Sequence, residues 1–165
     1  MKSNKGITLI SLVVTIIVLL ILAGVSIAML SGDNSILTRA QETGYKTQLS
    51  NAQDVIGTAI TEQVANFMNF KYVDSNATAA YENKTYGSSS DIDTAIQYGI
   101  ESACSSLGIE PVLTGTAADA KSDTTVLTVH YLSTTKKITV SYNGYKTVGS
   151  VSDSGILKWE SITKN

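Results

Sequence analysis

The side chains that could do covalent or metal chemistry are few. There is one His, His130, and one Cys, Cys104. Two such ligands do not make a conventional zinc site. A single thiol excludes an internal disulfide and leaves the compartment open. A Ser–His–Asp arrangement could be imagined around His130, but Thr125–Leu132 alternates as a strand and places His130 with Thr128 on a partly polar face. Asp91 and Asp93 stand two apart like an acid/base pair, yet they sit at the start of an apolar-periodic helix, where carboxylates are favoured in any case. Gly144-Tyr145-Lys146-Thr147 lacks the upstream glycine spacing of a phosphate loop and falls in a hairpin. Cys104 lies on a helical apolar stripe and reads as a core thiol. The net charge is -2 and Arg39 is the single arginine, so no basic face for nucleic acid is evident. No catalytic residue, metal ligand or cofactor site is expected from these residues, and no nucleic-acid partner.

The peptide bond after Gly6 carries a more specific signal. Gly6 to Gly32 contains no charged side chain, and within it Ile7–Leu30 reads ITLISLVVTIIVLLILAGVSIAML. As a helix this stretch is about 36 Å long, against a bilayer hydrocarbon core of about 30 Å. Thr8, Ser11, Thr15 and Ser26 can return their hydroxyl hydrogen bonds to the helix backbone, which makes them tolerable in lipid. Lys2 and Lys5 precede the run and Asp33 follows it. The positive-inside bias therefore keeps the N-terminus cytoplasmic and the rest of the chain outside. Three readings fit: a plain single-pass anchor, a secretory signal with a small-residue exit at Ser26-Ile27-Ala28, and a short leader cut before the apolar run. Against the second, an ordinary signal has an apolar region of about 7–15 residues, and this one is longer.

The order of a short basic leader, MKSNKG, then a long β-branched apolar helix, then a polar helical continuation resembles the class III leader and N-terminal segment of type IV prepilins. The stretch ITLISLVVTIIVLLILAGVSI followed by GDNSILTRAQE is similar to pilin-like proteins of Gram-positive bacteria. The resemblance covers roughly the first 60 residues. It implies cleavage between Gly6 and Ile7 by a prepilin peptidase on the cytoplasmic side, N-methylation of Ile7, and retention of the apolar helix. It implies a single-pass membrane precursor and then an extracellular filament or cell-surface structure. The partners it implies are other pilin subunits, itself included, together with the filament-assembly machinery and the membrane. Where the family carries Glu at the fifth mature position, this chain has Ser11, and the family's mid-helix Pro is absent. The family's Glu attracts a neighbour's N-terminal amine. Ser11 offers only a hydrogen bond, so the amine of Ile7 needs another acceptor, with Thr8 and backbone carbonyls as candidates, or stays near water; a second explanation is a subunit at the filament tip, where no subunit above needs matching. Ile7, Thr8 and Ser11 are thus the expected assembly residues.

At 165 residues there is room for one domain plus an appendage. The expected organisation is a leader over 1–6, a transmembrane or filament-core helix over 7–31, and a globular extracellular domain over 35–165. Gly32, Asp33, Asn34 and Ser35 predict a kink or break near 32–34 and a fresh cap. Ala40, Thr47, Ala52, Val55, Ile56, Ala59, Ile60, Gln63, Val64 and Phe67 then recur at helical spacing to about Phe70. Lys71–Ser90 is loop-like. Asp91 can cap a second helix with Ile92, Ala95, Ile96, Ile100, Ala103, Cys104 and Leu107 on one face, ended by Gly108 and Pro111. From Thr124 the period changes to two, predicting strands over 125–132, 137–142, 145–151 and 156–162, with Asn143-Gly144 as a hairpin turn. Ile138, Val140, Leu157 and Trp159 are expected to be buried. The fold class is therefore α+β: a long N-terminal hydrophobic helix, with a helix over 35–70 packed against a C-terminal antiparallel β-meander, plus one short helix.

Two functions from different classes follow. One is a structural subunit of a type IV pilus or related pseudopilus filament, polymerised through its N-terminal helix. The other is a membrane-anchored or secreted extracellular binding domain that does not polymerise.

Overall fold

The 26-residue helix α1, Lys5–Leu30, holds the apolar run. It contains no proline and two glycines, Gly6 and Gly24, and its Thr15 and Ser26 hydroxyls donate to the carbonyls of Leu12 and Leu22 at 2.8 Å each. The computed structural model describes residues 5–31, 35–76, 78–79, 81–114 and 125–165, so the break expected near 32–34 lies outside the described residues. A new helix, α2, runs over Ile36–Tyr72, about 55 Å. Ser35 caps it: the Thr38 amide donates to Ser35 Oγ at 3.1 Å, satisfying one of the orphan amides of the first turn.

The chain divides into two compact units, Met1–Gly44 and Tyr45–Asn165. The core belongs to the second. Leu49, Ala52, Ile56, Ala59, Ile60, Gln63 and Phe67 are the buried stripe of α2. Ala40 and Thr47, counted on that stripe from spacing, are exposed, and Leu49 was missed. Spacing registers the stripe but not where its cover begins: Tyr45 is the first α2 residue packed on the core, and Leu49 the first that is buried.

Helix α3, Ile92–Leu107, lies against this stripe. Asp91 accepts from the Thr94 amide at 3.0 Å while Thr94 Oγ1 faces the Asp91 amide, a reciprocal capping box. Gly108, at φ 69°, ends the helix in the left-handed conformation. Ala95, Ile96, Ile100, Ala103 and Cys104 are buried, as the periodicity predicts.

The sheet is mixed and its strands run in the order β1 (Val112–Thr114), β2 (Thr128–Leu132), β3 (Lys137–Tyr142), β4 (Tyr145–Val151), β5 (Leu157–Trp159), with β6 (Thr163–Lys164) also on β4. From β2 to β5 it is an antiparallel meander. Asn143 at φ 47° and Gly144 at φ 76° give the β3–β4 turn the two left-handed residues a two-residue hairpin needs. Three details depart from the expected strands. The β2 strand begins at Thr128 rather than 125. A three-residue strand, β1, pairs parallel to β2 with Leu113 opposite Tyr131; three residues are too few to show a period. The expected 156–162 strand ends at Trp159, and a further short strand, β6, begins at Thr163. Trp159 faces Gly149 and Thr163 faces Lys146, so the register slips by one residue across Glu160–Ile162, which is a bulge.

Val129, Tyr131, Ile138 and Val140 are 0–1% exposed and close over α2 and α3. Leu157 and Trp159 are half-buried rather than buried, because β5 is an edge strand. Trp159 lies over Gly149, where an added Cβ would meet its ring at 2.8 Å, so the glycine makes room for the indole. We expect Trp159→Ala to cost about 2 kcal/mol, below the 3–5 kcal/mol of a fully buried Trp. Urea unfolding followed by circular dichroism checks this; an unchanged midpoint would refute the packing.

Candidate functional site

Two surfaces stand out, one in each unit. The first is α1. Between Leu9 and Leu30 its large apolar side chains are all uncovered, from 45% exposed at Val13 to 67% at Leu20. The helix is long and apolar enough to cross a membrane, and none of that span is buried. From Leu9 to Leu30, fifteen side chains are Leu, Ile or Val. At about 0.3–0.6 kcal/mol each for insertion at a helix centre, they favour an apolar environment by roughly 5–9 kcal/mol. The few hydroxyls do not oppose this strongly, since Thr15 and Ser26 are already bonded to the backbone. Gly6, Ile7 and Thr8 lie in the first turns of this helix and Ser11 one turn further, exposed. The four residues singled out from sequence are therefore brought to one helix end.

The second surface is a groove of about 1090 Å³ along α2 of the 45–165 unit. Its walls are Val64, Ile156, Leu157 and Trp159, with Asp54 and Glu62 among the lining residues. Gly155, at φ 81°, sits against Val64, where a Cβ would come within 2.6 Å of Cγ1. That close approach brings the β4–β5 turn onto the helix and leaves Ile156 60% exposed. Sequence reading missed this groove: its walls are 90 residues apart in the chain, and only the bulged edge of the sheet brings them together. The same unit carries an exposed knob at the end of α2, where Tyr72 is 72% and Val73 81% exposed, next to Lys71.

The residues considered for catalysis are occupied structurally. Asp91 caps α3, and the Thr94 amide bonded to it lowers its pKa. Asp93 accepts hydrogen bonds from the buried Tyr131 hydroxyl and from Gln97, tying α3 to β2. Burial pushes the Cys104 thiol up to about 12, with Glu101 adding to it, so it is not a thiolate near neutrality. His130 shares the outer sheet face with Thr128, opposite Thr139. Its Nδ1 is buried with no hydrogen-bond partner among the described residues, so nothing there orients the ring as a base. No group of three or more His, Cys, Asp or Glu among the described residues could hold a metal. Tyr86 serves packing: its ring lies 5.4 Å from Phe67, 5.7 Å from Phe70 and 5.7 Å from Tyr98, which holds it against α2 and α3.

Comparison with protein-family models, with curated proteins and with solved structures finds no match to this chain.

Proposed function

We propose that this chain is the precursor of a type IV pilin-like filament subunit. It is cut between Gly6 and Ile7 on the cytoplasmic side, held in the membrane by the helix that follows, and polymerised through that helix. The observation that carries the reading is the apolar helix Lys5–Leu30, uncovered from Leu9 onward, with Gly6 in its first turn, in a chain that also carries a folded α+β unit. An anchor alone explains the apolar length. It explains the lysines before the run as well, by the positive-inside bias, but it gives no reason for Gly6 directly at its start.

On this reading the work is mechanical. Lipid covers α1 until the subunit is extracted, and neighbouring copies of α1 cover it afterwards. Both states bury the same apolar surface, so the transfer exchanges one apolar environment for another and its driving force is packing. Lys5 and Lys2 hold the uncut end on the cytoplasmic side. Ser11 leaves the new amine of Ile7 without a carboxylate partner from this chain, and an ammonium buried unpaired is costly. The amine is therefore satisfied by Thr8, by backbone carbonyls of a neighbouring helix, or by water. No substrate is turned over and no cofactor is required.

The mass of the intact protein extracted from membranes tests this. The expected chain begins at Ile7 and carries one N-methyl group. A chain beginning at Met29 would mean ordinary secretory cleavage, and an uncut chain would mean a plain anchor; either outcome sinks the proposal in favour of an extracellular binding domain.

A further inference from the structure

We infer that the groove along α2 receives the Tyr72–Val73 knob of a second copy of this chain, with Lys71 of that copy set against Asp54 and Glu62. The inference rests on the filament reading and adds to it a contact between the extracellular units.

Three observations carry it. The groove and the knob are complementary in character: Trp159, Leu157, Ile156 and Val64 offer apolar wall, and Tyr72 and Val73 are the most exposed large apolar side chains described in the 45–165 unit. They are complementary in charge as well. The groove lining carries two carboxylates and the knob one ammonium, and among the described residues none of Asp54, Glu62 and Lys71 makes an ion pair within its own chain. Lys71 rests over the rings of Phe67 and Tyr72, at 5.7 Å from each, which holds its charge beside the knob. Finally, the two patches are different surfaces of one rigid helix. From Thr58 in the groove to Tyr72 is about 21 Å along the helix axis. A contact between unlike patches is heterologous, and copies joined by it continue as an open row rather than closing as a pair. With the α2 helices of neighbouring copies parallel, each copy is displaced along the axis by about that distance relative to the next.

The contact is small, and two side chains in a groove do not hold free copies together. Copies already aligned by their apolar helices meet it at high effective concentration, so it sets how the outer units seat after the helices have brought them together. The carboxylates decide the sense of the contact: a like-charged or neutral knob gains nothing from them.

Disulfide trapping of the full chain in producing cells tests this. With Thr61→Cys and Val73→Cys in one chain, mild oxidation is expected to give a ladder of dimers, trimers and longer multimers. Each substitution alone is expected to give no more cross-linking than the unaltered chain, whose Cys104 is buried. Lys71→Glu in the doubly substituted chain is expected to weaken the ladder roughly fivefold, and adding Glu62→Lys to restore it. All the substituted residues are exposed, so folding is not at stake. The mass of the reduced monomer is read on the same samples. Chains that begin at Ile7 but give no ladder overturn the contact and leave the filament reading standing. Chains left uncut at Gly6 overturn the filament reading itself. Equal dimer from Val73→Cys alone would show a symmetric contact and also overturns the inference.

Discussion

Gly99→Ala is expected to destabilise the 45–165 unit by about 3 kcal/mol, while Gly57→Ala, on the helix that Gly99 meets, is expected to stabilise it by about 0.5–1 kcal/mol. Both residues are helical glycines, and in a free helix both substitutions would help, since alanine is the better helix former by about 1 kcal/mol. The difference lies in what a Cβ would meet. At Gly57 the nearest atoms are side-chain ends, Leu157 Cδ2 at 3.8 Å and Trp159 Nε1 at 3.9 Å, ordinary contact distances. At Gly99 they are backbone: Ile60 Cα at 2.6 Å, Ile60 N at 2.9 Å and the Ala59 carbonyl oxygen at 3.0 Å. Backbone in the middle of α2 cannot turn aside as a side chain does. Relief requires α3 to back away from α2, which opens the contact where Ile60, Ile96 and Ile100 are all 0% exposed. Urea unfolding of the detergent-solubilised chain, followed by the fluorescence of its one Trp, compares the two variants. A Gly99→Ala midpoint at or above that of the unaltered chain would mean the two helices are not this close.

Gly99 also shows where sequence reading stops. The helix containing it was legible, because Asp91, the apolar stripe from Ile92 to Leu107 and Gly108 mark its start, face and end. That the glycine serves a helix crossing was not, because nothing local distinguishes a glycine facing backbone from one facing water. The sheet divides the same way. The β3–β4 hairpin was readable from alternation and from Asn143-Gly144. The β1 strand and the bulge after Trp159 were not, since both are fixed by partners across the sheet rather than by their own few residues. At the N-terminus, the apolar helix that holds Gly6, Ile7, Thr8 and Ser11 was readable because its residues are contiguous in the chain and its apolar run is long enough to cross a membrane. The groove needed the fold, because Asp54 and Trp159 are neighbours only once the sheet edge lies beside α2.

Raising the pH from 8 to 11 is expected to remove on the order of 5 kcal/mol of stability from the 45–165 unit, enough to approach unfolding for a domain of ordinary stability. Three buried acids of the core are responsible. Burial pushes Tyr86 up to about 12, with Tyr98 adding to the effect. Its hydroxyl donates to the Gln63 carbonyl at 2.9 Å and lies 3.0 Å from Gln63 Oε1, both of which favour the protonated phenol. Burial likewise raises Tyr131, and the Asp93 carboxylate that accepts its hydroxyl proton raises it further. Cys104 stands at about 12 for the reason already given. In each case the folded pKa lies above the unfolded one. The stability these groups contribute is therefore complete below about pH 9, where both states hold the protons. It is lost as the pH climbs toward 12, because the unfolded chain releases a thiol proton from about 9 and phenol protons from about 10 while the folded chain keeps them. The loss should steepen with pH as the second and third protons join. Tyr86→Phe removes one titrating group without removing its ring from the Phe67–Phe70–Tyr98 cluster. That variant should start less stable at pH 8 and then fall with a slope smaller by one proton between pH 10 and 11. Tyr131→Phe should act the same way, since Asp93 keeps its hydrogen bond from Gln97 at 2.6 Å. Urea midpoints at a series of pH values, measured with reductant present, give the slopes. Stability unchanged between pH 8 and 11 would show that these three groups reach water in the folded protein, and would place α3 and the 73–90 loop away from the positions that bury them.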